Sequence, residues 1–352
     1  MPKPFRLALV GAGMVTRSSH LPAALASDKV QVVALVEPMR KRAEELARWY
    51  GIAPVIVPQV QDVLGDIDGA VIATPNDTHM SIALTCLQAG VATLIEKPLA
   101  STYAEGEAIV HAGQKYGTVV AVGYVVRFRE TILLLGDLLK VDYFGSVKRF
   151  AHQVGTRGGW TPMSSYNLSR KATGGGVLVV TGTHFLDCVL HLWGYPDEVG
   201  LADDAQGGPE ANCMATFRYT TTDTPFEGVA LYSKTTELPR GLIIETDRGI
   251  VQVADTDDAD DITFRPHTHA QVEQVIRRRG KPPYPPQMSV FQRQLNDFVD
   301  ACQQRRSPMV DGCQGLMSLR LIEELYARRK AINTDWFMTE KTDWFMPEQV
   351  AS

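Results

Sequence analysis

The stretch Phe5-Arg6-Leu7-Ala8-Leu9-Val10-Gly11-Ala12-Gly13-Met14-Val15-Thr16 decides how the chain folds. Phe5 and Leu7 to Val10 form an almost unbroken apolar run of buried-strand length. It stops at Gly11-Ala12-Gly13, and helix-forming sequence follows to Ala26. Gly11 permits a tight turn, and Gly13 removes a side chain from the path of an approaching ligand. The helix opening at Met14 and Val15 offers free N–H groups and a positive dipole end, so the turn suits a diphosphate. Thr16 stands where the third glycine of such a fingerprint belongs, and alone the turn reads equally as an ordinary strand-to-helix connection. The next strand tips the balance. Val30 to Val36 is apolar and β-branched and ends in Glu37, close to the ~20-residue offset at which an acidic side chain meets an adenosine ribose. A carboxylate there accepts hydrogen bonds from both ribose hydroxyls and stands against a 2′-phosphate, which favours NAD(H) over NADP(H). Arg40 and Arg42 are the counterweight.

Working outward, Ala43, Leu46, Ala47 and Tyr50 recur at helical spacing until Gly51. Ala70 to Ala73 is a short strand, after which Thr74-Pro75-Asn76-Asp77-Thr78-His79 opens a helix carrying Ile82, Ala83, Cys86 and Leu87. Ala92 to Ile95 is a strand that breaks at Glu96-Lys97-Pro98, and Val119 to Val122 another that leads to Gly123-Tyr124. This alternation specifies an α/β, doubly wound parallel sheet whose ligands sit at the carboxyl ends of the strands, where Gly11, Glu37, Thr74, Lys97 and Tyr124 lie.

Near Gly145 the pattern changes. Val147 to Val154, Ala211 to Tyr219, Phe226 to Tyr232, Leu242 to Thr246 and Ile250 to Val253 are strands with little helix between them, and Asp247-Arg248-Gly249 suits a hairpin. These segments predict an α+β domain with a mostly antiparallel sheet, interrupted by one helix that enters through Gly174-Gly175-Gly176 and runs to about Leu192. Asp255 to Asp261 lacks EF-hand spacing and reads as a solvated turn. After the stiff link Pro282 to Pro286, apolar faces at Phe291, Leu295, Phe298, Val299 and Cys302, and at Leu319, Ile322, Leu325 and Tyr326, predict two helices packing back on the body. The expected division is 1–124, 125–330 and an aromatic tail, 331–352. In that tail Thr-Asp-Trp-Phe-Met occurs at Thr334 to Met338 and again at Thr342 to Met346, either as a peripheral end or as a contact for a second subunit.

At 352 residues and 45% apolar content, two cores are the natural expectation. A net charge of −5 without a Lys/Arg block disfavours a nucleic-acid partner, and no run is long enough to span a membrane. The first residues lack the pattern of a signal peptide, and five cysteines without a C-x-x-C pair read as buried thiols in a reducing cytoplasm. None reads as a metal ligand, so the expected partner is a small solute.

Taken together these segments resemble the glucose-fructose oxidoreductase, inositol dehydrogenase and rhizopine-catabolism (Gfo/Idh/MocA) family over residues 5 to about 330. Its marks are Gly11-Ala12-Gly13, Glu37-Pro38, Thr74-Pro75-Asn76 with His79, Glu96-Lys97-Pro98, Arg127-Phe128, and Gly174-Gly175-Gly176 followed by Gly182-Thr183-His184 and Asp187. The resemblance implies a Rossmann domain and an open-faced sheet domain whose substrate pocket sits against the nicotinamide of NAD. It also implies a homo-oligomer, dimer or tetramer, built through that sheet, and oxidation or reduction of a hydroxyl on a sugar or cyclitol. It implies that Gly11, Gly13, Met14, Val15, Glu37, Thr74, Pro75, Asn76, His79, Glu96 and Lys97 hold the cofactor. Tyr124, Arg127, Trp160, Tyr166, Val180, Thr181, Thr183 and His184 would meet the substrate, with Lys97 and His184 catalytic.

Several of these residues admit a plainer reading. His79 either touches the ribose or serves as a polar group at a helix start. Arg127 meets ligand or forms an interdomain ion pair, and His184 is catalytic or a satisfied helix histidine. Asp187 orients that imidazole or bonds backbone, and Trp160 and Tyr166 wall a sugar face or pack inside. One departure stands out. The family commonly carries an aspartate four residues before this histidine, on the same helix face, and here Val180 replaces it. Lys97 and His184 are then expected to share proton transfer, with Thr181 able only to orient or relay and Val180 facing an apolar part of the substrate. The leading reading is an NAD-dependent dehydrogenase or reductase. Its alternatives are a lyase or glycosidase that cycles tightly bound NAD through a transient keto-sugar, and a non-catalytic dinucleotide-dependent sensor.

Overall fold

In a computed structural model the chain is described at residues 3–157, 173–269, 271–280, 282–285 and 287–332. Strand β1 (Phe5–Val10) lies at the centre of a six-stranded parallel sheet with β2 (Val30–Val36), β3 (Val55–Val57), β4 (Gly69–Ile72), β5 (Ala92–Ile95) and β6 (Val120–Val122). The order is β3-β2-β1-β4-β5-β6, with its switch point between β1 and β4. Helices α1 (Leu21–Ala26), α2 (Arg40–Tyr50), α3 (Asn76–Gln88) and α4 (Tyr103–Tyr116) alternate with these strands. Strands covered on both faces need no polar side, which is why β1, β4 and β5 read as nearly continuous apolar runs, broken only by Arg6 and Thr93. The helix ends follow local chemistry. Gly51 closes α2 in the left-handed region, and Thr102 with Glu105 forms a capping box before α4. The short edge strand β3 is not foreseen by the sequence, because three residues carry no period.

The second sheet comprises β7 (Val147–Gly155), β8 (Glu198–Asp203), β9 (Asn212–Tyr219), β10 (Phe226–Ser233), β11 (Leu238–Thr246), β12 (Gly249–Ala254), β13 (Asp261–Pro266), β14 (Gln274–Arg277) and β15 (Arg329–Ala331). Its order is β14-β13-β12-β11-β7-β10-β9-β8-β15, antiparallel except where β7 pairs with β10 and β15 with β8. The expectation of a mostly antiparallel sheet becomes a mixed one, and β8, β13, β14 and β15 are additions to the strands read from sequence. Among the described residues the helices α5 (Glu130–Lys140) and α6 (Thr183–Trp193) belong to this half, and α6 lies against one face, where Phe150 stacks on Trp193 at 4.2 Å between ring centroids. A separate small cluster of Ala151, Val229 and Leu231 packs with Met214, Leu238 and Ile332.

Helices α7 (Val290–Gln304) and α8 (Gly312–Ala327) return to the parallel sheet. Phe298 meets the edge of Phe5, and Asn296 accepts a 2.6 Å hydrogen bond from Ser27. Gly106 on α4 leaves room for Leu319, whose Cδ1 would lie 2.6 Å from a Cβ there. Residues 333–352 of the aromatic tail, Trp160 and Tyr166 lie outside the described residues.

Between the two sheets a short turn, Val125–Phe128, buries Arg127 against Asp187 of α6 through two 2.6 Å hydrogen bonds, and Ser318 also donates to that carboxylate. Removing one member of a buried ion pair strands the other charge, so Arg127→Met should cost about 3–5 kcal/mol of stability. Combining it with Asp187→Leu should recover much of the loss, as read from urea unfolding midpoints.

Candidate active site

A cavity of about 1290 Å³ runs along the carboxyl ends of the parallel strands, and every residue expected to hold a cofactor lines it except His79. Its floor begins at the glycine turn. Gly11 has φ +94° and donates to the Val36 carbonyl at 2.8 Å, and a Cβ there would stand 2.6 Å from the Ala73 carbonyl oxygen. Gly13 differs, because a Cβ at that position would meet no protein atom within 4 Å. The protein does not need that glycine for its own packing; the space in front of it is left for a ligand. Thr16 fills the place of the missing glycine by donating its hydroxyl to the Gly11 carbonyl at 2.6 Å, which ties the turn shut. At the end of β2 the buried Glu37 carboxylate accepts from the backbone N–H of Ala12 at 2.9 Å and of Met39 at 3.0 Å, with Arg42 4.0 Å away. An open turn leading into a helix, with a carboxylate fixed at the neighbouring strand end, fits the diphosphate and adenosine ribose of NAD.

The other end of the cavity carries the charged groups. The Glu96 carboxylate is buried and holds His20 at 2.7 Å. Burial pushes its pKa up, but the hydrogen bond and charge of His20, helped by Lys97, prevail and keep it at about 2. Lys97 follows β5, and its Nζ donates 2.9 Å to the carbonyl of Val180 in the second domain. Burial lowers the lysine's proton affinity and the Glu96 charge partly restores it. Val180 itself lies in a π-helical turn, Leu178–Gly182, directly before α6. One turn on, His184 is pushed down to about 3 by burial and by the Lys97 charge, so its imidazole is neutral. Its Nδ1 has no hydrogen-bond partner among the described residues.

Some expected residues lie elsewhere. The ring nitrogens of His79 sit 3.1 Å from the Pro98 carbonyl oxygen and 3.0 Å from that of Thr74, fully buried, so His79 braces two loops under the cavity and does not line it. Tyr124 and Thr183 are buried against each other at 3.2 Å and line neither this cavity nor the smaller one next to it, and Arg127 is committed to Asp187. Asp187, in turn, does not orient His184. Side chains at the end of a strand or start of a helix point where packing sends them, and all these point inward.

Val180 and His184 also line a second cavity of about 260 Å³ that reaches toward the mixed sheet. Thr181 belongs to it, together with Arg129, His152, Lys234, Arg240 and Asp255, none of which the sequence singled out as site residues. Asp255, expected in a solvated turn, is largely buried and paired with Arg129, and Arg240 approaches it at 3.4 Å. His152 stacks on Phe185 at 3.8 Å, and burial lowers its pKa to about 4. No local signal marks these residues, because strand pairing across the second sheet assembles them.

Two predictions follow from this geometry. Gly11→Ala should destabilise the fold through its positive φ and close carbonyl, whereas Gly13→Ala should change stability by less than ~0.5 kcal/mol and weaken NAD binding, as separated by urea unfolding and titration calorimetry. The neutral histidines set a pH dependence. Unfolded, each binds a proton near 6.5, while folded His152 and His184 do so only near 4 and 3. The unfolded chain therefore holds more protons in that window. Stability should fall as pH drops from 6.5 toward 4, by up to about 1.4 kcal/mol per pH unit for each histidine.

Residues 5–124 match the profile of the oxidoreductase family described as an NAD-binding Rossmann fold, and residues 136–331 match its C-terminal alpha/beta domain. D-glucoside 3-dehydrogenase of Escherichia coli (strain K12) is 28% identical over 198 residues, 55% of each chain. The scyllo-inositol 2-dehydrogenase (NADP(+)) IolW of Bacillus subtilis (strain 168) is 27% identical over 203 residues, 55% of this chain and 53% of its own. The chain thus spans about half the length of these curated relatives. Levoglucosan dehydrogenase, solved with NADH and levoglucosan, superposes with a TM-score of 0.79 at 18% identity, over 93% of this chain and 97% of that one, which establishes the shared fold. On this sequence and architecture the chain belongs to the Gfo/Idh/MocA oxidoreductase family, an NAD-binding Rossmann domain followed by the family's C-terminal α/β domain.

Proposed function

We propose that this protein transfers a hydride between NAD(H) and a hydroxyl or keto carbon of a sugar, sugar derivative or cyclitol. The observation that carries the reading is the meeting of the two cavities at Val180 and His184, with Lys97 bonded to the Val180 carbonyl at the same place. The sugar and cyclitol dehydrogenases among the relatives support it. When bound, NAD supplies the hydride acceptor. The chain's own residues handle the proton. Lys97 is a lysine with lowered proton affinity, and the Glu96 charge beside it steadies the ammonium that forms when it takes the substrate's proton. The neutral His184 imidazole offers its remaining hydrogen-bonding capacity to the reacting hydroxyl, and the Val180 side chain faces apolar substrate surface.

In this reading 1–124 binds the dinucleotide and 125–330 the substrate. The chain works as a homo-oligomer in the cytoplasm, joined through the second sheet. Among the described residues no helix is long and apolar enough to cross a membrane, and Cys86, Cys188 and Cys213 are buried free thiols, which suit that setting.

Lys97→Ala should leave NAD affinity within a few fold and lower kcat by about 10²–10⁴. Because the amine must be neutral to accept a proton, oxidation by the parent protein should rise with pH through a limb below the ordinary lysine value of 10.5, and that limb should vanish in the variant. His184→Ala should also cut turnover while sparing NAD binding. The assay is NADH formation across a panel of sugars and cyclitols. Product formation without net NADH would point instead to redox cycling. Catalytic efficiency should be higher with NAD than with NADP; the reverse would contradict the role given to Glu37.

A further inference from the structure

We propose that Glu210 is a positioning residue for the candidate catalytic pair, whose carboxylate fixes the turn that presents the Val180 carbonyl to Lys97 and the helix that carries His184. The proposal deepens the reading above and rests on it for the roles of Lys97 and His184. The run Gly174-Gly175-Gly176 lines neither of the two cavities, so contact with a ligand there does not account for it. Its neighbours do. A Cβ at 175 would run into the Tyr326 hydroxyl, and one at 176 into the backbone of Glu210. Glu210 stands between β8 and β9 and is buried. One of its carboxylate oxygens accepts from the backbone N–H of Gly176 at 2.9 Å and of Leu178 at 3.1 Å, and from the Tyr326 hydroxyl of α8 at 2.7 Å. Its backbone carbonyl accepts from the N–H of Val177 at 2.9 Å.

These contacts set where the helical run toward His184 begins. The first N–H groups of a helix have no partner within it, and the consecutive ones of residues 176–178 are all met by Glu210. A carboxylate at that end also complements the positive end of the helix. The π-helical turn Leu178–Gly182 follows at once, and its far end is fixed as well, because Gly182 approaches Tyr232 so closely that a Cβ would stand 2.7 Å from the ring. Val180 lies between those two points. Its N–H is bonded to the Gly176 carbonyl at 3.0 Å, and its own carbonyl is the acceptor for Lys97 at 2.9 Å. Asn76 of the first domain donates to the Thr173 carbonyl at 2.9 Å, so the segment leading into the glycine run is tied to the cofactor domain too. Removing the Glu210 carboxylate therefore loosens the acceptor of Lys97 and the base of α6 together, while the glycine turn and Glu37 at the cofactor end take no part in the clamp.

The test compares the full chain with its Glu210→Ala and Glu210→Gln variants. Glutamine keeps an acceptor oxygen, and its amide nitrogen takes the place of the carboxylate oxygen that has no hydrogen-bond partner among the described residues. The first readout is the titration of Lys97, followed by NMR in protein carrying isotope-labelled lysine and assigned through Lys97→Arg. An ammonium that loses an acceptor holds its proton less tightly, so Glu210→Ala should lower the Lys97 midpoint by about half a pH unit or more, and Glu210→Gln should restore it. The charged and titrating groups around that amine, Glu96 with its partner His20, His184 and Lys234, are present in every variant, so the shift reports the carbonyl. The second readout is kinetic. With NAD and the sugar turned over best, Glu210→Ala should lower kcat by about ten-fold or more while KM and NAD affinity stay within about three-fold, and Glu210→Gln should recover most of the loss. Tyr326→Phe, which removes the hydroxyl donor and leaves the backbone donors, should shift Lys97 the same way by less, and it decides the matter if thermal denaturation shows Glu210→Ala unfolded. A Lys97 midpoint that does not move in the folded variants overturns the proposal. So does a midpoint that moves while kcat is unchanged, or an equal loss in alanine and glutamine. If the parent turns over no sugar or cyclitol and the midpoint still shifts as stated, the dehydrogenase reading fails and the clamp stands.

Discussion

The arrangement of the site depends on one buried charge, the carboxylate of Glu96. An ionised carboxylate away from water persists only when it is paired and hydrogen-bonded, and three parts of the chain meet that demand. His20 comes from the helix that follows the glycine turn, and the backbone N–H of Lys97 donates at 3.1 Å. Gly123, after β6, contributes by having no side chain, because a Cβ there would stand 3.2 Å from the Glu96 carboxyl. The glycine turn, the end of β5 and the end of β6 are thereby held in one register. Lys97 leaves that cluster and reaches the backbone of the second domain, so one chain of contacts runs from the helix after the glycine turn to the π-helical turn that carries Val180.

The second domain answers this with an ion pair of its own. Arg127 and Asp187 lock the turn after β6 to α6, and α6 carries His184. The two candidate proton-handling groups are therefore each anchored by a buried charge, and both sit where burial makes the charged form harder to hold. Burial therefore lowers the proton affinity of both the lysine and the histidine.

Legibility from sequence followed the range of the interactions. Gly11, Gly13, Glu37, Thr74 and Lys97 sit at strand ends that local periodicity reveals, and the cavity lines up along them. His79 stands in the same run, yet its place is fixed by the Pro98 carbonyl, 19 residues away, and nothing local distinguishes a brace from a ligand contact. Tyr124 and Arg127 show the same limit, because position after a strand was readable and side-chain direction was not. In the second sheet the separations grow further. Arg129 meets Asp255 across 126 residues, so a run of aspartates that looks like a solvated turn supplies a wall of the smaller cavity.

The bond from Lys97 to position 180 is made to a carbonyl oxygen, and every amino acid supplies one. The lysine's anchorage is thus indifferent to the side chain carried there, while that same side chain faces both cavities. Replacing the side chain at position 180 therefore reshapes the walls of both cavities while leaving in place the acceptor that holds the lysine. Anchorage and wall shape are separated within a single residue, one carried by its backbone and the other by its side chain.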